Sequence, residues 1–155
     1  MSAPMKLRDM VKEILSEHDS LLKEWSDVRE IVVKAGEKRP KSKEELHEVF
    51  GLLSDIYSRV YLFMSKFAVH EIKEEYWIYP DMDERGRLEV TLRLKEDHRR
   101  LNLMLDDLRK AIDDYRFMKI EEWELKDRVD AVNNQMHSLL MEHMKIEHEE
   151  FAKLM

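Results

Sequence analysis

Residues 53–75 are the most informative part of the sequence for predicting the fold, and they read LSDIYSRVYLFMSKFAVHEIKEE. Apolar side chains recur here every three or four residues, which predicts a helix with one face in a core. This apolar stripe comprises Leu53, Ile56, Val60, Phe63 and Phe67. It leads directly into His70 and Glu74, which are spaced i,i+4 and therefore share a helix face. A carboxylate that faces a core is costly unless it is paired or bound to a cation. We therefore interpret His70 and Glu74 as two ligands on the same side of a metal site.

A second stretch, residues 129–151, repeats this arrangement. Its apolar stripe comprises Val129, Val132, Met136 and Leu140. The stripe leads into His143 and Glu147, again spaced i,i+4, and then into Phe151. Two His-x3-Glu pairs that face the same core predict a buried centre that holds two metal ions.

Composition narrows the class of protein. A chain of 155 residues is long enough for one domain with a real core, and we expect a single domain over residues 1–155.

The absence of cysteine excludes disulfides, zinc ribbons and thiolate-bound clusters. A net charge of −7 disfavours a nucleic-acid partner. No stretch approaches the roughly 18 apolar residues of a membrane span, so we expect no membrane partner and a cytoplasmic location.

The pattern predicts an all-α fold with four long helices. The second helix should begin after a capping box at Ser42 and Glu45 and end before Pro80. The stretches Gly36–Lys41 and Asp81–Arg87 should be loops. The predicted helices cover approximately residues 7–35, 43–79, 88–115 and 120–153. Long helices joined by short loops favour an antiparallel, up-down-up-down four-helix bundle.

The two halves of the chain resemble each other. The first predicted helix contains Glu17-His18-Asp19 and the third contains Asp97-His98-Arg99. Each half thus supplies one lone histidine and one His-x3-Glu pair. At about 1.5 Å per residue, all six side chains fall at similar heights in a bundle. We interpret them as one metal centre, and the alternative is a buried His–Glu hydrogen-bond network without metal.

The other histidines are interpreted as bystanders. His47 lies about 35 Å from His70 along the same helix, and His137 lies about 120° around the helix from His143. His148 lies about 140° from that face and either borders the site or faces solvent; we favour solvent.

Tyrosine hydroxyls are possible hydrogen-bond donors beside the centre. Candidates for this role are Tyr57, Tyr61 and Tyr115, and packing is the better interpretation for each of them.

The order and spacing of these motifs resemble those of the hemerythrin-like, or HHE cation-binding, family. The resemblance rests on His18, His70-x3-Glu74 followed by Tyr79-Pro80, Asp97-His98, and His143-x3-Glu147-x3-Phe151. It implies a four-helix bundle around a non-haem di-iron centre. By this resemblance the terminal nitrogen ligands would be His18, His70, His98 and His143, and Glu74 and Glu147 would bridge the two irons.

The chain departs from the oxygen-carrying members of that family. Those members have a His-x3-His pair on the third helix, whereas the residues four positions from His98 are Leu94 and Asn102. They also have Asp five residues after the fourth-helix histidine, where this chain has His148. The remaining four-His, two-Glu set resembles the non-carrier branch, which includes repair, iron-sensing and peroxide-reactive proteins. Glu71 matches an iron-ligating position of the iron-sensing members and is a possible additional ligand.

These observations favour a di-iron protein that binds or reacts with O2, NO or peroxide. The expected cofactor is two iron ions, although manganese and zinc suit the same donors. Whether such a protein is an enzyme stays open at this point, and no protein partner is assigned. One alternative is a non-enzymatic sensor of iron or oxygen, or an iron reservoir. Another is a helical interaction module with a vestigial site.

Overall fold

Helices make up nearly all of the protein in a computed structural model of the chain. The structure describes residues 2–37 and 40–155, and the side chains of these except residues 2–5, 36 and 122. The elements are α1 (Ser2–Glu37), α2 (Lys43–Lys73), a π-helical segment (Glu74–Ile78), α3 (Tyr79–Glu84), α4 (Leu88–Arg116) and α5 (Glu122–Ala152). The described residues contain no β-strand. The predicted all-helical fold is therefore confirmed.

The predicted bounds of the first helix are too short, because α1 begins at Ser2 rather than at residue 7 and includes Gly36 and Glu37 of the predicted loop. The start of α2 is capped as expected. Ser42 Oγ accepts a hydrogen bond from the Glu45 N–H at 3.1 Å. The Glu45 carboxylate accepts from the Lys41 N–H at 2.6 Å, one residue earlier than in a standard capping box. Residues 38 and 39 of the predicted loop Gly36–Lys41 lie outside the described residues.

The prediction that Pro80 ends the second helix is wrong. The helical path continues from α2 through the π-helical segment into α3 and ends only at Glu84. Pro80 lies in the first turn of α3, a position where proline is tolerated. The Tyr79 N–H bonds to the Glu74 carbonyl, five residues back. The predicted loop Asp81–Arg87 is accordingly reduced to Arg85–Arg87.

The buried face of each long helix follows an alternating spacing of three and four residues. In α1 the buried positions include Val11, Ile14, His18, Leu21, Trp25, Val28 and Val32. In α4 they include Thr91, Leu94, His98, Leu101, Leu105, Leu108 and Ile112. This spacing is typical of helices packed around a shared core. The histidines therefore occupy core positions rather than a separate functional face.

Four long helices enclose the core. α1 packs against α2 and α5, and α4 also packs against α2 and α5. This arrangement is consistent with a four-helix bundle. Among the described residues, no helix combines the length and the apolarity that crossing a bilayer requires.

The apolar core is divided into two clusters. The larger one contains Phe63, Phe67, Leu105 and Leu140. The smaller one contains Ile14, Ile78, Tyr79, Leu94 and Phe151. Along each helix, the candidate ligands lie between these two sets of positions, so apolar layers border the ligands on both sides.

We predict that truncating the core costs far more stability than truncating the surface of the same helix. Leu105 is fully buried in the larger cluster, and Leu103 is 52% exposed. Leu105→Ala should lower the free energy of unfolding by about 2–5 kcal/mol. The matched control Leu103→Ala should change it by less than about 0.5 kcal/mol. Urea unfolding followed by circular dichroism measures both, and equal losses would contradict the packing described here.

Candidate metal centre

Six ionisable side chains meet in the interior of the bundle, and all four long helices contribute to them. They are His18 from α1, His70 from α2, Glu74 from the start of the π-helical segment, His98 from α4, and His143 and Glu147 from α5. None of the six is more than 2% exposed. The structure thus brings together the whole set of predicted ligands.

These residues form two overlapping groups of possible metal ligands. One group is His18, His70, Glu74 and Glu147, and the other is His98, His143, Glu74 and Glu147. Within each group the ligand atoms all lie within 4.8 Å of one another. Glu74 and Glu147 belong to both groups. The arrangement can hold two cations side by side, with two histidines for each and two carboxylates shared.

All four histidines present the same ring nitrogen, Nε2, to the shared carboxylates. The shortest Nε2 distances are 3.1 Å from His18 to Glu147, 3.3 Å from His70 to Glu74, 3.1 Å from His98 to Glu74 and 3.2 Å from His143 to Glu147. The Nδ1 atoms are thereby left for outer partners.

Two of these outer partners are carboxylates from neighbouring helices. His70 Nδ1 lies 2.8 Å from Glu17 Oε2, and His143 Nδ1 lies 3.1 Å from Asp97 Oδ2. Such partners fix the orientation of a ligating imidazole and raise its basicity. Glu17 and Asp97 each precede the lone histidine of their half, so the internal repeat extends beyond the predicted ligands.

His98 is flanked by a second pair of carboxylates. Its Nδ1 atom lies 3.9 Å from Glu75 Oε1 and 4.0 Å from Glu71 Oε2. The side-chain amide of Asn102 donates to both Glu71 oxygens at 3.0 Å. Glu71 lies outside both four-residue groups and forms a separate cluster with Glu75 and His98. Its role as an additional ligand stays a prediction.

Tyr79 contributes a hydroxyl to the interior of the site. The hydroxyl donates a hydrogen bond to Glu147 Oε2 at 2.8 Å and lies 3.4 Å from His98 Nε2. Burial and the nearby Glu147 carboxylate raise the pKa of Tyr79 well above its usual value. The phenol therefore stays protonated and keeps a proton directed at Glu147.

The charges in the centre balance one another when no cation is bound. Burial disfavours the imidazolium form, but the carboxylates of Glu147 and Glu74 outweigh it and raise the pKa of His18 to about 9. Against the same cost of burial, carboxylates raise the pKa of His98 to about 9 and that of His143 to about 10. Burial opposes ionisation of Glu74, yet its partners hold the pKa of this carboxyl well below the usual value.

Several buried polar atoms of the centre are left without a good hydrogen bond. Among the described residues, no hydrogen bond of acceptable geometry reaches His18 Nε2, His143 Nε2, Glu74 Oε2 or Glu147 Oε1. Buried polar atoms are rarely left unsatisfied. A cation would coordinate these same atoms, and imidazole and carboxylate are suitable ligands for iron, manganese and zinc. The donor set therefore fits metal ions.

The comparison with protein families agrees with this geometry. The family model described as the hemerythrin HHE cation-binding domain matches residues 9–155. The chain belongs to this family. Comparisons with the curated proteins and with the solved structures found no match. Membership and the buried His/Glu groups together indicate a cation-binding HHE domain.

The tyrosine at the centre of this HHE domain is Tyr79, which is not one of the three candidates from the sequence. Tyr57 and Tyr61 lie with their rings 5.0 Å apart, and Arg109 contacts Tyr61. Tyr79 follows Glu74 by five residues, which on an α-helix would place it about 140° away from that ligand. The π-helical segment brings it back to the side of Glu74.

His148 is exposed, as expected, but it also borders the HHE centre. Its ring centroid lies 5.1 Å from that of the fully buried His18. His47 is exposed and is absent from the groups of possible ligands found among the described residues.

The pKa shifts predict how the stability of the metal-free HHE domain depends on pH. The folded-state pKa values of His18, His98 and His143 lie above the ordinary value of 6.5. Their contribution to stability is therefore fully present below pH 6.5 and is lost as the pH rises through about 9 to 10. The free energy of unfolding, measured in a chelator with urea, should fall over that range.

The matched control removes the carboxylates that cause the shifts. In the double variant Glu74→Gln/Glu147→Gln, the free energy of unfolding should fall much less between pH 6.5 and 10. A wild-type protein that is equally stable at both pH values would contradict the charge balance described here.

Proposed function

We propose that the protein is a non-haem di-iron protein whose buried centre binds or reacts with O2, NO or peroxide. The observation that carries this proposal is the pair of four-residue groups that share Glu74 and Glu147. Two shared carboxylates between two pairs of histidines are what a centre of two adjacent metal ions needs.

The donor set favours iron and leaves room for a ligand. Each ion would have two imidazoles and a share of two carboxylates, a combination common to non-haem iron sites. This protein-derived set is smaller than an octahedral shell, so each ion would keep positions for exogenous molecules. When bound, two iron ions would supply electrons and open coordination positions for a diatomic molecule or peroxide.

The surroundings of the centre favour small, uncharged ligands. The apolar clusters on both sides include Phe67 and Phe151, and neither residue is more than 1% exposed. Such walls exclude bulk water and discourage charged molecules. Within this dry interior, Tyr79 would hold Glu147 through its hydrogen bond and offer a proton to a bound ligand.

The proposal includes an up-down-up-down order of the helices. Ion pairs between α1 and α2 support it, because the partner numbers fall as the α1 numbers rise. These pairs are Glu17–Lys73, Glu24–Lys66 and Asp27–Arg59. Arg93–Glu142 and Asp114–Arg128 relate α4 and α5 in the same way. A single domain over residues 1–155 and a cytoplasmic location also remain part of the proposal.

We predict that the protein takes up two iron ions per chain and that this uptake depends on His70. Anaerobic loading with Fe²⁺, followed by metal analysis, measures the stoichiometry. Optical spectra recorded with O2, NO and peroxide should then change. His70→Ala removes one of only two nitrogen donors at its position, so it should lower iron content by about one ion. His47→Ala, an exposed histidine on the same helix, is the matched control and should bind like wild type.

Less than one iron per folded chain would refute the proposal, as would identical uptake by His70→Ala. Two iron ions with no spectral change towards any of the three ligands would refute its reactivity part.

A second candidate function, sensing iron, is favoured by how α1 joins the centre. α1 supplies a single ligand, His18, whose Nε2 atom faces Glu74 and Glu147 from other elements. Metal that binds only this arrangement stabilises it and would tie α1 to α2 and α5. We predict slower hydrogen exchange around His18 in the iron-loaded protein than in the metal-free one. Exchange around Val32, near the far end of α1, is the internal control. Equal protection around His18 in both states would exclude sensing through α1.

A further inference from the structure

In both halves of the internal repeat, the residue that follows the shared carboxylate lies next to a ligand histidine of the other half. Glu75 follows Glu74, and its Oε1 atom lies 3.9 Å from the Nδ1 atom of His98 in the other half of the chain. His148 follows Glu147, and its ring lies against His18, again in the other half. His148 therefore occupies the position that corresponds to Glu75.

The ring of His148 is arranged about His18 much as the candidate ligand pairs are arranged. The centroids of His18 and His148 lie 5.1 Å apart and their planes make an angle of 56°. For His18 and His70 the values are 4.9 Å and 55°, and for His98 and His143 they are 4.8 Å and 52°. His148 is nevertheless absent from the groups of possible ligands found among the described residues. It lies beside His18, outside the cluster of ligand atoms.

His18 is the one ligand histidine whose outer nitrogen has no carboxylate near it. The Nδ1 atoms of His70, His143 and His98 lie within 4.0 Å of Glu17, Asp97 and Glu75 respectively. Within the described part of the chain, no carboxylate lies that close to His18 Nδ1, and this buried atom makes no hydrogen bond. A buried ring N–H is costly to leave unpaired, and the ring of His148, with its centroid 5.1 Å from that of His18, can supply an acceptor from outside the ligand set.

We propose that His148 is a positioning residue for His18: the His18 Nδ1–H donates a hydrogen bond to a ring nitrogen of His148 when metal is bound. This inference rests on the proposed metal centre. His148 is exposed, so its ring is free to turn that nitrogen towards His18. His148 thus lies beside His18 as a carboxylate lies beside each of the other three ligand histidines.

The two metal positions are consequently unequal. On the His18–His70 side, the outer partners are the exposed imidazole of His148 and Glu17, whose side chain is 28% exposed. On the other side, Asp97 is buried, with a side chain only 4% exposed. An exposed partner raises ligand basicity less than a buried carboxylate does. The position held by His18 and His70 is therefore the weaker of the two.

Titration with Zn²⁺ in competition with a chromophoric chelator tests this inference without any reaction. Wild type should bind two ions with distinct affinities. His148→Ala should weaken the weaker step about 10–100-fold, the usual effect of losing an outer partner, and leave the stronger step unchanged. His148→Gln, which keeps a hydrogen-bond acceptor, should recover most of the loss, and His47→Ala should match wild type.

Nitrogen-detected NMR of the Zn²⁺-loaded protein provides a second readout. The His18 Nδ1–H proton should be protected in wild type and exchange rapidly in His148→Ala. Two bound ions with unchanged affinities in His148→Ala would overturn the role of His148 and leave the metal centre intact. A glutamine variant as weak as the alanine variant would also overturn it. Wild type that binds no metal would overturn both this inference and the proposed function.

Discussion

The structure depends on two carboxylates, those of Glu74 and Glu147, that are completely buried where all four long helices meet. A buried carboxylate is tolerated only when positive charge and hydrogen bonds surround it. The imidazoles of His18, His98 and His143, whose pKa values are raised to about 9 to 10, provide the charge in the metal-free protein, and the Tyr79 hydroxyl provides a hydrogen bond. Bound cations would take over the first role, and the histidines would then release protons. The same residues therefore serve the stability of the bundle and the chemistry of the site.

The centre has an internal two-fold repeat, but some residues differ between its two halves. Glu17 and Asp97 hold His70 and His143 in equivalent ways. By contrast, Tyr79 has no counterpart, because the corresponding place five residues after Glu147 is Ala152. The π-helical segment, which brings Tyr79 beside Glu74, gives one half a proton donor that the other lacks. Segments of this kind are frequent at functional sites, and here the segment begins at a candidate ligand.

The sequence was sufficient to predict the helices and to select the six central residues, because those residues obey the same spacing as the core. His18 and His98 continue the apolar stripes of α1 and α4, so the pattern that predicts packing also predicts the site. Residues that break the pattern were missed. Glu17 and Asp97 lie about 100° from the core face on their own helices and resemble solvated charges until a neighbouring helix is placed beside them. The continuation of helix past Pro80 depends on a change of helical period that α-helical spacing cannot predict.

We propose that Glu74 and Glu147 hold two adjacent metal ions. X-ray absorption spectroscopy at the iron edge of the iron-loaded protein tests it most directly. We expect nitrogen and oxygen neighbours together with an iron–iron distance of about 3.5–4 Å, and loss of the iron–iron signal in a Glu74→Gln/Glu147→Gln variant. Iron that shows nitrogen and oxygen neighbours but no second iron would contradict a centre of two adjacent ions.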